Sequence, residues 1–362
     1  MKITLDRTPE QVELIKAVGS RNAETSVAAQ EILAYSAGQI IQQVLEQVSI
    51  SPMLYSDYEF DQDTNPSIPL DLYVDKDEDY IRVWQQSLPG GLATNFLQGL
   101  QELKFTTYEL DSAVSMFKKY ARLGEMNNVA RALKRMAQEI LAKQEYNAFI
   151  PILSAVAGAT TNGLSHVIAS DTPGSFTIND LNRLWTRARK INTSWNGKTP
   201  IGGAAGITDL FVSPEVMEDV RGFSYNPVNT INGTPSDASN HAGNVALPDS
   251  VRESIYRAAG TSEIFGVTLH DMLEFSPESD YSVIFDNYYG GTFTAGTSQI
   301  ALGVDATRDA LIRPIELNDN GGQLTVLPDD QFPARADKIG WYAKAVEGRV
   351  VLDDRALLAI VI

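Results

Sequence analysis

The stretch GRVVLDDRALLAIVI, residues Gly348–Ile362, decides how the chain is read. Its last six residues, Leu357–Ile362, are all apolar, where chain ends are usually polar, frayed and tolerant of change. The run is rich in β-branched residues and far too short to span a membrane. It predicts a strand with both faces covered, inside a sheet or at an interface. Something must cover it, either another element of the same chain or another chain.

The totals set the bounds. A length of 362 residues predicts two or three packing units, and 43% apolar against 21% charged residues is a globular composition. Lys and Arg number 29 against 46 Asp and Glu, a formal charge of −17, which argues against wrapping nucleic acid as a general habit. With no Cys, disulfides, thiolate metal sites and a Cys nucleophile are excluded. The opening MKITLDRTPEQ has no apolar core of a secretory signal, and no window approaches 18 consecutive apolar residues, so neither a cleaved signal nor a membrane-spanning helix is expected.

Thr8-Pro9-Glu10-Gln11 reads as a capping box opening a helix whose face is Val12, Ile15 and Val18, with Gly19 ending it. A second helix is predicted from about Thr25 to Val48, striped by Ile32, Ile40, Ile41, Val44, Leu45 and Val48 and stopped by Ser51-Pro52. From Met53 to Tyr108 short β-type runs are punctuated by Asp, Asn, Pro and Gly: Ile68–Val74, Tyr80–Trp84 and Leu103–Leu110, with the acidic Asp75–Asp79 between. This predicts a long two-stranded excursion with too little apolar material for a core of its own. Ser112–Leu123 reads as a short helix leading across Gly124 into the clearest helix of the chain, Glu125–Ile150, about 39 Å long at ~1.5 Å per residue. Met126, Val129, Leu133, Met136 and Ile140 are spaced 3, 4, 3, 4, and Pro151 is expected to end or kink it.

After a loop at Ala157–Ser175, Thr177 to Asp180 should cap a helix faced by Ile178, Leu181, Leu184, Trp185, Ala188 and Ile191. Ile207–Val212 reads as a buried strand, and Ser213-Pro214-Glu215 as the start of a helix. Gly222–Ala246 reads as a long polar loop, Asp249–Ala259 as a helix, and Ile264–His270, Tyr281–Asp286 and Gln299–Val304 as strands.

Little chemistry is written into the chain. His166, His241 and His270 have no partner at metal-ligand spacing, and no Gly-x-Ser-x-Gly elbow is present. Asp61-x-Asp63-x-Asn65 and Asp75-x-Asp77-x-Asp79 begin like calcium loops, but Pro66 and Tyr80 stand where Gly is required. Asn196-Gly197-Lys198-Thr199 contains the end of a P-loop without its first Gly and reads as a turn. Arg131, Lys134, Arg135 and Lys143 give the long helix a basic face, read first as solvated with local ion pairs, second as a contact for an acidic neighbour. No catalytic, cofactor or metal residue is assigned.

The order of these parts resembles the major capsid protein of tailed bacteriophages, the Hong Kong 97-type fold. LFVSPEVMEDVR (Leu210–Arg221) is similar to that family's strand, Ser-Pro and acidic helix; EIFGVTLH (Glu263–His270), Val283–Asp286 with Ala301–Asp305, and the closing GWYAKAVEGRVVLDDRALLAIVI also look like its segments. The resemblance implies an α+β chain divided into an N-terminal arm (1–51), an E-loop hairpin (52–109), a spine helix with the start of a peripheral domain (110–175), an axial domain with parts of the peripheral one (176–330) and closing peripheral strands (331–362). It implies that Leu358, Ile360 and Ile362, or their alternates, pack against Met126, Leu133 and Ile140 of the spine. No scaffold-type helical pro-segment is read at the start, and Lys76 and Lys104 in the E-loop do not indicate a cross-link.

The function implied is that of a non-enzymatic shell subunit. Copies would form pentamers and hexamers and close into an icosahedral virion capsid, assembled in the host bacterial cytoplasm around double-stranded DNA held by weak, non-specific contact. Scaffolding, portal and cement proteins would be further partners. Trp84, Leu88 and Phe96 in the E-loop are the candidate interface anchors, since aromatic residues dominate interface energetics. An encapsulin-type bacterial compartment is the alternative on the same fold, and a hydrolase-type enzyme the alternative of another class.

Overall fold

The computed structural model describes residues 9–20, 22, 24–34, 50–61, 64–69, 102–123, 126–161, 163–192, 206–225, 250, 253, 263–308, 310–318, 322–329 and 337–362. The stripe from Ile40 to Val48, the E-loop anchors Trp84, Leu88 and Phe96, both acidic runs' central residues, Asn196–Thr199, His241 and most of the predicted helix at Asp249–Ala259 lie outside them.

In chain order the elements are α1 (Pro9–Val18), α2 (24–34), α3 (Ser51–Leu54), β1 (Ser56–Asp61), β2 (Ser67–Pro69), β3 (Glu102–Lys104), β4 (Thr107–Phe117), α4 (Lys118–Arg122) and α5 (Met126–Gly158). Then come β5 (Thr160–Thr161), β6 (Leu164–Ser165), β7 (Val167–Ala169), α6 (Ile178–Asn192), β8 (Asp209–Val212), α7 (Pro214–Tyr225), β9 (Glu263–Ile264), β10 (Val267–Asp271) and α8 (Asp280–Tyr288). The chain closes with β11 (Ile300–Val304), β12 (Leu311–Leu317), β13 (Thr325–Asp329), β14 (Lys338–Gly348), β15 (Val350–Val351) and β16 (Leu357–Val361). Contacts divide it into two compact units, one drawn from Met1–Ser67, Lys104–Ala148 and Ile312–Val350, the other from Ile68–Leu103, Phe149–Leu311 and Val351–Ile362.

The first unit is built on β4 and β14, paired antiparallel from Thr107 opposite Gly348 to Phe117 opposite Lys338. In β4 the even-numbered residues Leu110, Val114 and Met116 turn inward and the odd-numbered ones face solvent. That alternation is the period of a strand, and it corrects the helix expected over Ser112–Leu123: β4 runs on to Phe117, and only Lys118–Arg122 is helical. Ile339, Trp341, Ala343 and Ala345 of β14 join Leu133, Met136, Ala137 and Ile140 of α5 and Ile15 and Val18 of α1 in one buried cluster. In α2 the buried positions are Ser26, Ala29, Gln30 and Ala34, and Ile32, expected on the apolar stripe, is 59% exposed. Small residues let α2 approach closely, with the Ser26 hydroxyl donating to the Val18 carbonyl at 2.7 Å. Ser51-Pro52 opens the short α3.

In the second unit a six-stranded sheet runs β7-β16-β11-β8-β10-β9. The closing strand β16 lies inside it, parallel to β7 and antiparallel to β11, and all five of its residues are buried. Ile362 continues the ladder, exchanging both backbone bonds with Gln299 at 2.9 and 3.0 Å. Leu358, Ile360 and Ile362 face Leu181, Leu184, Ala188 and Ile191 of α6 and Val216 and Val220 of α7. Leu133 and Ile140 belong to the other unit's cluster, so the neighbours expected for the closing strand are replaced by α6 and α7. On the opposite face Phe211 of β8 meets Phe149 of α5 edge-on, ring centroids 5.8 Å apart, and Phe149 meets Phe275 and Tyr281 at 5.5 and 5.4 Å.

Helix α5 passes through Pro151 to Gly158. Proline removes one helical hydrogen bond and crowds the preceding turn, at a cost of about 3 kcal/mol. Phe149, Ile152, Leu153 and Val156, all fully buried, outweigh it at ~1.5–3 kcal/mol each. The strand expected at Tyr281–Asp286 is instead α8: Tyr281 and Phe285, one turn apart, are buried on one side. Accordingly Val283–Asp286 does not pair with Ala301–Asp305, and β11 pairs with β16 and β8. Gly222 to Tyr225, read as the start of a polar loop, finish α7. A Cβ at Gly303 of β11 would stand 2.9 Å from Ile207 Cδ1 and 3.2 Å from Leu184 Cδ2 of α6, so the packing over β11 leaves room for Gly alone.

Candidate assembly surface

The capping residues of α6 are the ones read from sequence. The Thr177 hydroxyl donates to Asp180 Oδ2 at 2.7 Å, the Thr177 N–H donates to the same oxygen at 2.9 Å, and the Asp180 N–H donates back to the Thr177 hydroxyl at 3.3 Å. Ser213 caps α7 in the same way, accepting from the Val216 N–H at 3.2 Å.

The titratable side chains serve the fold. His166 is fully buried; its Nδ1–H donates to the Leu357 carbonyl at 2.9 Å, and its Nε2 accepts from the Thr161 hydroxyl at 2.9 Å. A carbonyl can only accept, which fixes the proton on Nδ1. The Ala359 N–H donates to the His166 carbonyl at 3.0 Å, so this residue holds β16 twice. Burial pushes its pKa down, against the opposing pull of the Asp354 carboxylate and of its bond to Leu357. As pH falls, the unfolded chain therefore takes up this proton first, and the contribution of His166 is complete above about pH 6.5 and declines below it. Stability measured by urea titration should fall from pH 7 to pH 5 by at most about 1.4 kcal/mol per pH unit on this account, and His166→Gln should flatten that slope. Equal slopes in the two proteins would assign the acid sensitivity elsewhere.

His270 pairs with Asp209, Nε2 to Oδ1 at 2.7 Å, and stacks on Phe211 with centroids 4.9 Å apart. That bond from His270 holds the Asp209 carboxyl below the usual range, helped by the Thr208 hydroxyl, which donates to Oδ2 at 2.7 Å. The hydroxyl sits on the carboxylate and not on the imidazole, so the trio is not the arrangement that activates a nucleophile. Among the described residues no group of three or more His, Asp or Glu could hold a metal ion, and no helix is long and apolar enough to cross a membrane. On α5, Arg135 pairs with Glu139 at 2.9 Å and Lys143 lies 4.8 Å from the Tyr146 ring, the local pairing expected of a solvated face.

Apolar side chains the fold leaves uncovered are more informative. On α8 the outward face carries Val283 and Tyr288, and beside it Leu273, 72% exposed, sits in a 3-10 turn that packs against α8. The hairpin β9–β10 turns on Phe265 and Gly266, at φ +54° and +75°. A phenylalanine held in the left-handed region costs about 1–3 kcal/mol, and here its ring is 54% exposed. In the first unit Ile32, Val27 and Leu123 are likewise uncovered. The F-G dipeptide was a visible turn signal inside the run read as one strand, and the Tyr281/Phe285 spacing was the visible signal for α8. At the foot of the predicted E-loop, β2 and β3 pair with each other, and the Phe105 N–H donates to the Pro66 carbonyl at 2.9 Å. The anchors Trp84, Leu88 and Phe96 belong to the segment between these strands, outside the described residues.

No protein-family model matches the sequence, and no curated protein does. Solved structures do. The chain superposes on the capsid of an empty GTA particle with a TM-score of 0.51 at 11% identity, covering 86% of this chain and 88% of that one. The fold is that of the Hong Kong 97-type capsid proteins. Other matches include the capsid of cyanophage P-SCSP1u (TM-score 0.49, 12% identity, 86% and 88% covered) and the SrpI encapsulin of Synechococcus elongatus PCC 7942 (0.42, 14%, 72% and 75%). In this fold the α+β pattern read from sequence is accounted for, including the long helix and the strand that ends the chain.

Proposed function

We propose that the chain is the major capsid protein of a tailed phage or a phage-like particle. Copies associate through pentamers and hexamers into an icosahedral shell that encloses double-stranded DNA. The observation that carries the reading is the shared fold over 86% of the chain with a capsid subunit. Fold alone does not fix function, so the uncovered surface matters as well. A strained, exposed Phe265 and the outward Leu273, Val283 and Tyr288 are expensive on a monomer and reasonable on a subunit whose neighbours cover them. The segment between β2 and β3, with Trp84, Leu88 and Phe96, would lie over an adjacent subunit. The reading is non-enzymatic: the two described histidines are engaged in holding strands.

Sedimentation and negative-stain microscopy of the expressed full-length chain test this. The expected result is closed particles of megadalton mass, with nuclease-protected DNA when assembled with the packaging machinery. A compact, monodisperse chain that does not associate at high concentration overturns it. Particles that hold a cargo protein and no DNA would move the chain to the encapsulin reading.

A further inference from the structure

We propose that the outward face of α6 is where this subunit takes the phosphate backbone of duplex nucleic acid, an inference that rests on the proposed DNA-enclosing shell. A groove of about 390 Å³ is lined by Leu164, Ile168, Asn182, Arg183, Arg187 and Lys190, together with Asn179 and Thr186. Arg183, Arg187 and Lys190 stand at i, i+4 and i+7, one stripe about 10 Å long at ~1.5 Å per residue. Among the described residues no carboxylate is part of the lining, and Asp171, at its edge, is taken up by Asn179 and Arg183.

The three cations differ. Arg183 is committed: it bonds Asp171, lies 3.6 Å from Asp180 and donates to the Ala169 carbonyl at 3.3 Å. Arg187 and Lys190 have no carboxylate partner among the described residues. Two uncompensated cations in a concave site focus potential even on a chain of net charge −17. At physiological salt the screening length is about 8 Å, so distant carboxylates are largely screened and the local pair decides a contact. Amide groups such as Asn182 are usual companions of Arg and Lys at phosphates, whereas the Asn179 amide already donates to Asp171 and the Thr186 hydroxyl to the Asn182 carbonyl at 2.8 Å; the set offers no pattern that would read bases. The occupant in competition is an acidic segment of a second copy, such as Asp75–Asp79. That run carries Lys76 in its middle and would bring a cation into a cationic groove, which favours the uniformly charged phosphate line.

The test is binding of a 24-base-pair duplex to the full-length chain across a salt series, followed by fluorescence anisotropy, with particle formation scored separately. Each phosphate contact contributes about 0.9 to the slope of log affinity against log salt. Arg187→Ala with Lys190→Ala should lower that slope by about 1.8 while particles still form. The control pair Arg131→Ala with Lys134→Ala removes equal charge from α5 and should leave the slope within about half a contact, i.e. ~0.5. The inference is overturned by an unchanged slope, by a control that lowers it equally, by a wild-type chain that does not bind duplex, or by a folded Arg187/Lys190 variant that no longer assembles, since the groove would then be a contact between copies. A wild-type chain that binds duplex through this groove but forms no particles sinks the shell reading and leaves the groove standing.

Discussion

A chain lacking residues 80–96 is expected to fold normally and to build no shells. The pairing of β2 with β3 and the bond from Phe105 to Pro66 tie the two ends of the excursion together without help from its tip. Closure entropy depends only weakly on loop length, about 0.6 kcal/mol per doubling, so shortening the excursion neither strains nor much stabilises the rest. Circular dichroism and the melting temperature should therefore stay within a few degrees of wild type. Assembly is another matter. Interface energy concentrates in a few buried aromatic and large apolar anchors, and Trp84, Leu88 and Phe96 leave together in this deletion. On the proposed shell reading, losing several anchors of ~2 kcal/mol or more each, at every subunit, turns assembly from complete to absent. Velocity sedimentation should show slow species only, and electron micrographs no particles. Normal shells would remove the segment from the assembly mechanism, and an unfolded variant would place it in the subunit's own core.

How far such a result could have been anticipated from sequence varies along the chain. Capped amphipathic helices were legible: Thr177 to Asp180 and Ser213-Pro214 fix the starts of α6 and α7 by side-chain bonds that local spacing dictates. The buried closing strand was legible too, because no other structure suits Leu357–Ile362. Its partners were not. Whether Ile360 meets α5 or α6 depends on long-range topology, and the apolar face of either helix would have served. Two readings failed where a short run fits both periods. Ser112–Phe117 alternates inward and outward, yet its composition suits a helix, and Tyr281–Asp286 looks like a strand until Phe285 is placed one turn after Tyr281. The helix does not end at Pro151, since burial at Phe149, Ile152 and Leu153 overrides a local breaker. The surface patches on α8 and at Phe265 carry no motif and become visible only when burial is known.

The largest single-residue effect on stability is expected at Arg349. Arg349 and Glu347 are almost completely buried on and beside β14, with Nη2 to Oε2 at 3.1 Å. Glu347 Oε1 also accepts from the Tyr108 hydroxyl at 2.9 Å and Oε2 from the Gln144 amide at 3.3 Å. The guanidinium lies 5.0 Å from the centre of the Tyr55 ring, and the Tyr55 hydroxyl donates to the Ala148 carbonyl at 2.6 Å. Burial pushes both phenols up, Tyr108 to about 12, with the Glu347 carboxylate adding to its shift. Both therefore remain donors throughout the physiological range. Arg349→Ala strips Glu347 of its cation among the described residues and leaves a carboxylate sealed among neutral donors, which costs about 3–5 kcal/mol. For a protein of 362 residues that is a fall of roughly 4–7 °C in melting temperature. The pair itself need not stabilise. Among the described residues Nε and Nη1 of Arg349 find no hydrogen-bond acceptor, so part of the cost of taking the charge out of water is not recovered there. Replacing both partners at once, Glu347→Leu with Arg349→Met, should therefore come within about 1 kcal/mol of wild type or exceed it. Chemical denaturation of the two single variants and the double variant separates the alternatives. A single variant as stable as wild type would mean that water reaches Glu347, and a double variant as weak as the single would mean that these two side chains are needed for their shape and not for their charge.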